Sequence, residues 1–390
     1  MITGLTDNDL YKFTMQQAVF RLYPEAWAKY AFINRGKTAF PHGFADALTE
    51  EVRSLAGFEL TSDEYTFLKN RCYYLSPVYL DFLSHYRFNP DEVSISQQGE
   101  NLEIHIEGPW YRTILWEVPL MALISELYFT KTGTAALSRE VRKQKNIDKT
   151  RRFIEGSVSF ADFGTRRRFS SDNHREVIED ILSVPQSTMT GTSNVFLAMK
   201  YALRPIGTHA HEWFMFHAAL NGYRLANKTS TDAWTEVYKG NLGIALTDTF
   251  TTDNFLISFD SVKARLFDGV RHDSGNPFEF AEKMIAHYIK LHIDPTTKTI
   301  VFSDGLDPDK VLELQRYCNG RIRCSFGIGT NLTNDVGVKP LNMVIKMSHA
   351  RFDEDSPWIG TVKLSDVQGK HTGSDEEIDL CLRTLKRGIS

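Results

Sequence analysis

Hydrophobic and polar positions alternate along the chain in two different rhythms. In "NLEIHIE", residues 101–107, the side chains of Leu102, Ile104 and Ile106 fall on one face of a predicted β-strand. From about residue 155 onward, short apolar segments end in polar, glycine-containing loops, most of which lead into a helical pattern. The segments are "SVSFADFGTRRR", "LGIALTDTF", "LFDGVRHDSGNP", "TIVFSDGLDPD", "IRCSFGIGTN" and "LNMVIKMSH". Strands that alternate with helices predict a parallel sheet.

The number of these units favours a barrel. About seven units within roughly 235 residues fit a closed or irregular β/α barrel better than an open sheet. The predicted fold class is α/β, or α+β over the whole chain, with an irregular β/α barrel domain packed with a smaller mixed N-terminal α/β domain. The basic run "SREVRKQKNIDKTRR", residues 138–152, is typical of a solvated helix face and makes a plausible connection between the two. We therefore predict domains at residues 1–145 and 146–390.

Composition and charge narrow the class of protein. With 42% hydrophobic and 24% charged residues, the 390-residue chain has the profile of an ordinary globular protein. A net charge of −4 gives no general case for nucleic-acid binding, so any attraction for phosphate must be local. The four cysteines form no metal-ligand spacing and indicate reduced thiols in a cytoplasmic protein.

Neither a secretory signal nor a membrane span is predicted. The N-terminal stretch "MITGLTDNDLYK" is acidic and polar. The most apolar run, "WEVPLMALISELYF", is interrupted by Glu117, Pro119 and Glu126, so we interpret it as a core helix.

Charged residues gather in the loops that follow the predicted strands, where β/α barrels carry function. "DFGTRRR", residues 162–168, offers arginine forks that suit a carboxylate or a phosphate, beside a phenylalanine that could stack on a flat ring. The alternative is a buried phenylalanine with surface arginines. No glycine-rich loop or HRD segment accompanies this "DFG", so it does not indicate a kinase.

Three further loops carry phosphate-compatible chemistry. "RHDSGNP" combines a cation with a carboxylate, and the carboxylates of "SDGLDPD" could accept from ribose hydroxyls or hold Mg²⁺ through water. Helix capping explains the second loop equally well. The glycines of "FGIGTN" let backbone N–H groups approach an anion. A P-loop is excluded because the glycine expected before "RGKT" is Ala31.

"GTHAHEW", residues 207–213, has several interpretations. As a strand it would place His209 and His211 on one face and Glu212 on the other, pointing away from the pocket. Two histidines so placed could be zinc ligands of a barrel hydrolase. Core packing is the simpler reading for His209. A neutral His211 among phosphate-binding groups could instead act as a nucleophile toward phosphorus.

Taken in order, the motifs resemble a known family. The residues that carry the resemblance are "TDNDLYKFTMQQAVF", "ADFGTRRRFS", "GTSNV", "GTHAHEW", "LTDTF", "RHDSGNP", "SDGL", "FGIGTN" and "VKLSDVQGKHTG". This ordered set, from Leu5 to near the C-terminus, closely resembles nicotinate phosphoribosyltransferase. The resemblance implies an irregular β/α barrel with a mixed N-terminal domain whose first ~35 residues contribute to the active site.

The resemblance implies a reaction and a set of roles. Nicotinate and 5-phosphoribosyl 1-pyrophosphate would give nicotinate mononucleotide and pyrophosphate for NAD salvage, coupled to ATP hydrolysis through a phosphohistidine, with ATP and Mg²⁺ but no tightly bound cofactor. Tyr11 and Phe163 would sandwich the pyridine ring, Arg166 would meet its carboxylate, and His211 would be phosphorylated. The remaining implied contacts, to ribose, pyrophosphate and phosphate, fall to Arg271, Asp273, Asp304 and Gly329, with Arg35 as an arginine that in dimeric relatives reaches a neighbouring subunit's site.

Ser193 in "GTSN" helps to distinguish a substrate with a carboxylate from a substrate with an amide group. In the related nicotinamide-using enzyme the matching position is an aspartate, which would repel a carboxylate, whereas a serine can donate to one. Nicotinate is the expected substrate. The open alternatives are a nicotinamide or quinolinate phosphoribosyltransferase and, more distantly, a zinc-dependent barrel hydrolase. A non-catalytic binding protein is least expected. The expected partners are small molecules, without nucleic acid or membrane, and a homodimer is left open because relatives differ.

Overall fold

The computed structural model describes residues 1–367 and 371–386, so part of the segment "VKLSDVQGKHTG" lies outside the described residues. The strands are β1 (Trp27–Ile33), β2 (Val93–Gln98), β3 (Asn101–Pro109), β4 (Phe160–Asp162), β5 (Met189–Thr192), β6 (Ile244–Leu246), β7 (Gly269–His272), β8 (Thr299–Phe302), β9 (Arg323–Ile328), β10 (Val344–Arg351) and β11 (Ile359–Gly360). The helices are α1 (Leu10–Leu22), α2 (Phe44–Ser54), α3 (Ser62–Arg71), α4 (Pro77–His85), α5 (Trp110–Thr113), α6 (Glu117–Lys131), α7 (Arg139–Glu155), α8 (Ser171–Leu182), α9 (Val195–Lys200), α10 (His211–Asn221), α11 (Tyr223–Tyr238), α12 (Thr252–Ser258), α13 (Ser261–Leu266), α14 (Pro277–Lys290), α15 (Pro308–Cys318), α16 (Thr330–Thr333) and α17 (Asp375–Lys386).

A six-stranded sheet forms the larger half of the molecule, with the strand order β5-β4-β9-β8-β7-β6. All its pairings are parallel. Helices cross between its strands, because a parallel strand cannot be reached by a short hairpin. The carboxyl ends of all six strands therefore meet at one edge, which is where the functional loops were predicted. The α/β fold class is confirmed.

One predicted barrel unit was wrong. "LNMVIKMSH" supplies β10, which pairs antiparallel with β1 from Trp27↔Arg351 to Ile33↔Val344 and does not join the parallel sheet. Burial largely alternates along β10, as it does on a strand with one covered face. The sequence prediction also missed β5, whose four residues contain a glycine and two threonines and little apolar pattern.

The second sheet is antiparallel, with the order β11-β10-β1-β3-β2. In β3, the strand predicted from "NLEIHIE", Leu102, Ile104 and Ile106 are buried as expected. Because β10 and β11 come from the C-terminal part of the chain, this sheet takes strands from both sides of residue 145. The predicted domain boundary itself stays a prediction.

Helices α6 and α7 can each be compared with a prediction made from the sequence. The stretch Trp110–Lys131, containing α6, is apolar and long enough to cross a membrane by composition and length, but 83% of its apolar window is buried inside the protein, as in a core helix. The basic run forms α7, as predicted, although its face is only partly solvated. Lys145 and Lys149 both contact the carboxylate of Asp335, and Arg139 pairs with Asp180.

Candidate active site

A cavity of about 270 Å³ opens at the carboxyl edge of the parallel sheet. It is lined by every sequence-predicted site residue except Gly329: Tyr11, Arg35, Phe163, Arg166, Ser193, His211, Arg271, Asp273 and Asp304. Gly329 caps the short helix α16, directly after β9. The cavity therefore gathers residues from Asp9 to Ser365. Those that follow strands of the parallel sheet meet because parallel strands end at a common edge.

The segment that carries His211 is not a strand. Ala210 has an extended backbone and is followed at His211 by helix α10, since "HEWFMFHAALN" is an apolar run of helical length. Successive helical residues are only 100° apart, so the prediction that Glu212 points away from the pocket was wrong. Both His211 and Glu212 line the cavity.

The two histidines of the motif have separate environments. The ring of His209 packs edge-on against Trp234, with ring centroids 4.7 Å apart, and against Phe214. Within the described residues, the group that could hold a metal ion contains His211, Asp248 and Asp273 but not His209. A zinc site built on both histidines is therefore not supported, and His209 is a core residue.

Both ring nitrogens of His211 lie within hydrogen-bond distance of polar side chains. Nδ1 lies 3.0 Å from the hydroxyl of Thr249, and Nε2 lies 3.0 Å from Oδ2 of Asp273 and 2.8 Å from Nζ of Lys363. Burial, with the Lys363 ammonium beside the ring, lowers the pKa of His211 to about 4. Near neutral pH the ring is thus neutral and keeps a nitrogen lone pair, which a nucleophile needs.

Asp273 is held as an anion. Arg271 donates to its Oδ1 at 2.9 Å, and the hydroxyl of Ser303 donates to the same oxygen at 2.7 Å. Burial alone would raise the pKa of Asp273, but Arg271, His211 and Lys363 hold it well below its ordinary value. Asp248 accepts from Ser274 through Oδ2, whereas its buried Oδ1 has no hydrogen-bond partner within the described residues.

A second group of cavity residues is aromatic and basic. Phe163 follows β4, and its ring lies so close to Gly327 that a Cβ there would come within 2.2 Å of it. Tyr11 comes from α1, and its backbone nitrogen would lie 2.8 Å from a Cβ at Gly207. Arg166 lies in a turn after β4 and donates to Glu117 at 3.1 Å.

Ser193 directly follows β5 and lines the cavity. Its hydroxyl donates to Oδ1 of Asp9 at 2.7 Å. Burial raises the pKa of Asp9. The Ser193 proton is therefore already engaged by a neighbouring carboxyl group, which the sequence comparison with an aspartate at this position did not anticipate.

Several cavity residues were not among the predicted site residues. Glu117 was not predicted because the sequence pattern placed it in a core helix. Glu212 was not predicted because the pattern placed it on the strand face that points away from the pocket. Lys346 was assigned to a barrel strand, and burial lowers its pKa to about 8. Lys363 belongs to the segment "VKLSDVQGKHTG", which carries part of the family resemblance but was given no role. Its membership of that segment was the signal that could have identified it.

Known proteins resemble this chain over almost its whole length. The nicotinate phosphoribosyltransferase family model matches residues 158–377, and the model of that family's N-terminal domain matches residues 6–125. The chain belongs to the nicotinate phosphoribosyltransferase family. It is 56% identical to the nicotinate phosphoribosyltransferase of Desulforapulum autotrophicum, covering 100% of both chains, and 53% identical to that of Chromohalobacter salexigens, covering 99% of this chain and 98% of the relative.

A solved structure shows the same fold. The crystal structure of nicotinate phosphoribosyltransferase from Porphyromonas gingivalis superposes with a TM-score of 0.97 at 44% identity, covering 99% of this chain and 100% of the other. The predicted family, the α/β fold and the prediction of a nicotinate phosphoribosyltransferase enzyme are confirmed. The individual residue roles stay predictions.

Proposed function

We propose that the cavity joins nicotinate to 5-phosphoribosyl 1-pyrophosphate, and that ATP drives the reaction by phosphorylating His211. The observation that supports this most is the pairing of two unlike ends in one cavity. One end holds a buried, neutral His211 beside Lys363 and Asp273. The other holds aromatic side chains and Arg166. The first end suits phosphoryl chemistry, and the second suits a flat aromatic acid.

The base end supports binding of the pyridine ring. Tyr11 and Phe163 would enclose the ring, and the guanidinium of Arg166 would pair with its carboxylate through two hydrogen bonds. Glu117 orients Arg166 from behind, at 3.1 Å. A ring held in this way presents its nitrogen toward the sugar, which converts an encounter of two substrates into a reaction within one complex.

The sugar–phosphate end supports binding of a polyanion. Arg271, Asp273 and Asp304 would hold the ribose and pyrophosphate, with Arg35 and the backbone at Gly329 contacting phosphate. In this chain Arg35 lines its own cavity. Displacement at the ribose C1 breaks the bond to pyrophosphate and forms the bond to the pyridine nitrogen, so negative charge grows on the leaving group. The cations of this end stabilise that charge.

The carboxylates beside His211 fit a divalent ion. Asp248 has a buried oxygen without a hydrogen-bond partner in the described part of the chain, and Asp273 is ionised. These oxygens would hold Mg²⁺, which when bound supplies positive charge toward phosphate oxygens. Lys363 gives the same kind of stabilisation without a metal.

The ATP step is a phosphoryl transfer to nitrogen. A ring nitrogen of His211 attacks the γ-phosphorus of ATP, the P–O bond to the β-phosphate breaks, and ADP leaves. The ring proton passes to a neighbouring carboxylate or to water. Water later cleaves the P–N bond and releases phosphate, so that the net change is ATP hydrolysis. The low pKa of His211, about 4, keeps the attacking nitrogen unprotonated at neutral pH.

Nicotinate is the proposed base in preference to nicotinamide or quinolinate. Arg166 provides positive charge for a single carboxylate. The Ser193 hydroxyl lies beside one carboxyl group, that of Asp9, and an aspartate at position 193 would add another negative charge next to it. The product would enter NAD salvage in the cytoplasm. The substrates are small molecules, and a homodimer is the proposed assembly.

Product formation tests the proposal. Purified protein is supplied with Mg²⁺, phosphoribosyl pyrophosphate and nicotinate, with and without ATP, and parallel samples receive nicotinamide or quinolinate. Nicotinate mononucleotide formed from the acid alone, and faster with ATP, is the expected result. Product from the amide at an equal rate, or a rate that ATP does not change, would contradict it.

A further inference from the structure

Lys12 carries an ammonium group that is completely buried between two glutamates. Its Nζ lies 2.6 Å from Oε2 of Glu117 and contacts Oε1 of Glu212. The hydroxyl of Tyr30 donates to the other oxygen of Glu212 at 2.6 Å. Burial works to lower the pKa of Lys12, but the two carboxylates outweigh it and raise it. Lys12 is therefore a permanent cation that both glutamates share.

Each end of this cluster continues into one end of the cavity. Glu117 accepts from Arg166 at 3.1 Å and lies 3.4 Å from the hydroxyl of Tyr11, the neighbour of Lys12 on α1. Glu212 directly follows His211 in the first turn of α10. Side-chain contacts thus run from the proposed base-binding arginine through Glu117 and Lys12 to Glu212, and the helix backbone joins Glu212 to the proposed phosphorylation site.

The shared cation makes the two glutamate contacts compete. A phosphoryl group on His211 would add roughly 1.5 to 2 negative charges. Repulsion of the adjacent Glu212 is weakly screened in a buried site. If Glu212 withdraws, Lys12 interacts more strongly with Glu117. The ion pair between Glu117 and Arg166 then weakens, so the guanidinium of Arg166 becomes available to a ligand carboxylate.

We propose that Lys12 is a positioning residue that couples the state of His211 to the availability of Arg166 for nicotinate. This inference rests on the proposed function, because it assigns the route by which ATP cleavage and nucleotide formation communicate. Coupling between two sites is reciprocal, so nicotinate on Arg166 would equally favour phosphorylation of His211. A broken route would let ATP be cleaved without regard to the base.

The number of ATP molecules hydrolysed per nicotinate mononucleotide formed is the measurement that separates coupling from structure. A purely structural defect lowers both rates together and leaves their ratio unchanged. Lys12→Met and Glu212→Gln are each expected to raise the ratio at least about fivefold, the lower end of typical coupling between sites. Lys12→Arg keeps the shared cation and is expected to restore part of the coupling.

Glu92→Gln is the matched control for Glu212→Gln. Glu92 is also a buried glutamate that binds one cation, Arg112, and one neutral donor, the indole of Trp116 at 2.8 Å. It touches neither the Lys12 cluster nor the cavity lining. Its substitution is expected to reduce stability without changing the ratio of ATP to product.

Removing charge from a buried cluster can prevent folding, so a milder pair accompanies these variants. Tyr30→Phe deletes only the hydrogen bond to Glu212, and Tyr79→Phe deletes a comparable buried bond to Gln16 at 2.6 Å. A raised ratio in Tyr30→Phe alone supports the inference. The inference would be overturned if Tyr30→Phe and Glu212→Gln both left the ratio of ATP to product unchanged. It would also be overturned if the control variants Tyr79→Phe and Glu92→Gln raised that ratio as much as Tyr30→Phe and Glu212→Gln do. ATP stimulation of the wild-type enzyme is measured beside them, because its absence would instead contradict the proposed function.

Discussion

The two ends of the cavity use the same kinds of side chain but balance their charge differently. At the phosphate end, Arg271 and Lys363 pair with Asp273 and Asp248, whereas Arg35 and Arg167 form no ion pair within the part of the chain that the structure describes. At the base end, Arg166 and Lys12 are matched by Glu117 and Glu212. The first arrangement leaves positive charge for a polyanion. The second is neutral before a ligand arrives, which suits one carboxylate and little more.

This difference makes the two ends separable by experiment. Substitutions at the phosphate end should change the use of ATP and phosphoribosyl pyrophosphate, whereas substitutions at the base end should change the use of nicotinate.

The largest effect is expected from His211→Asn. The variant keeps a polar side chain but has no ring nitrogen to accept a phosphoryl group, so ATP-dependent turnover should fall by about 10²-fold or more. Rates with and without ATP measure the loss. His209→Asn is the comparison, because that ring packs in the core against Trp234 and its replacement should lower stability but leave ATP stimulation in the folded protein. Equal loss of stimulation in both variants would remove the distinction between the two histidines.

A large, selective effect is expected from Arg166→Ala. The Arg166 side chain is 38% exposed, and bound nicotinate would cover it. Loss of the charge pair with the substrate carboxylate then costs about 2–5 kcal/mol, which should raise the KM for nicotinate by roughly 30-fold or more. Glu117 keeps Lys12 as a partner, so the fold should survive.

Arg167→Ala is the matched change one residue along. The guanidinium of Arg167 is partly buried, with its pKa lowered by burial and by Arg166 and Arg35. We expect this variant to raise the KM for phosphoribosyl pyrophosphate more than that for nicotinate. The opposite pattern in the two variants would reverse the assignment of the cavity ends.

Ser193→Asp tests the choice of acid over amide. A second carboxyl group next to Asp9 would oppose a substrate carboxylate, so kcat/KM for nicotinate should fall by roughly tenfold, with far less change in Tm. Ser193→Ala controls for loss of the hydrogen bond to Asp9. Unchanged nicotinate kinetics in Ser193→Asp would mean that this position does not face the carboxylate.

A smaller effect is expected from the titration of Lys346, whose charged neighbours in the cavity are Glu117, Lys363, Arg166 and Asp273. Burial lowers the pKa of Lys346 to about 8, so its positive charge is present below that pH and is lost as pH rises through it. Affinity for phosphoribosyl pyrophosphate should weaken a few-fold above about pH 8. Lys346→Met should bind phosphoribosyl pyrophosphate more weakly than the wild type below about pH 8, and its affinity should lack this step. A step that persists in the variant would assign it to another group.

The sequence allowed much of the phosphate end to be predicted. Strand-to-loop transitions are local patterns, and the fold brings strand ends together, so Arg271, Asp273 and Asp304 were found from their own segments. The helical start at His211 was missed because three alternating residues imitate a strand, while the apolar run that decides the structure follows them.

The base end was harder to predict because its charge balance is long-range. Lys12 and Glu212 are 200 positions apart, and their contact depends on how α1 and α10 pack. A lysine within "DLYKFTMQQAVF" has no local feature that predicts complete burial. The same limit applies to β10, whose alternating pattern fits a strand in either sheet and whose partner, β1, lies far away in the sequence.

The central claim is that His211 carries a phosphoryl group during turnover. Mass spectrometry of peptides from protein treated with ATP and Mg²⁺, under conditions that preserve phosphohistidine, tests it most directly. We expect phosphate on His211 that disappears when nicotinate and phosphoribosyl pyrophosphate are added and nicotinate mononucleotide forms. An ATP-stimulated enzyme with no phosphate on His211, or with phosphate that persists through turnover, would contradict it.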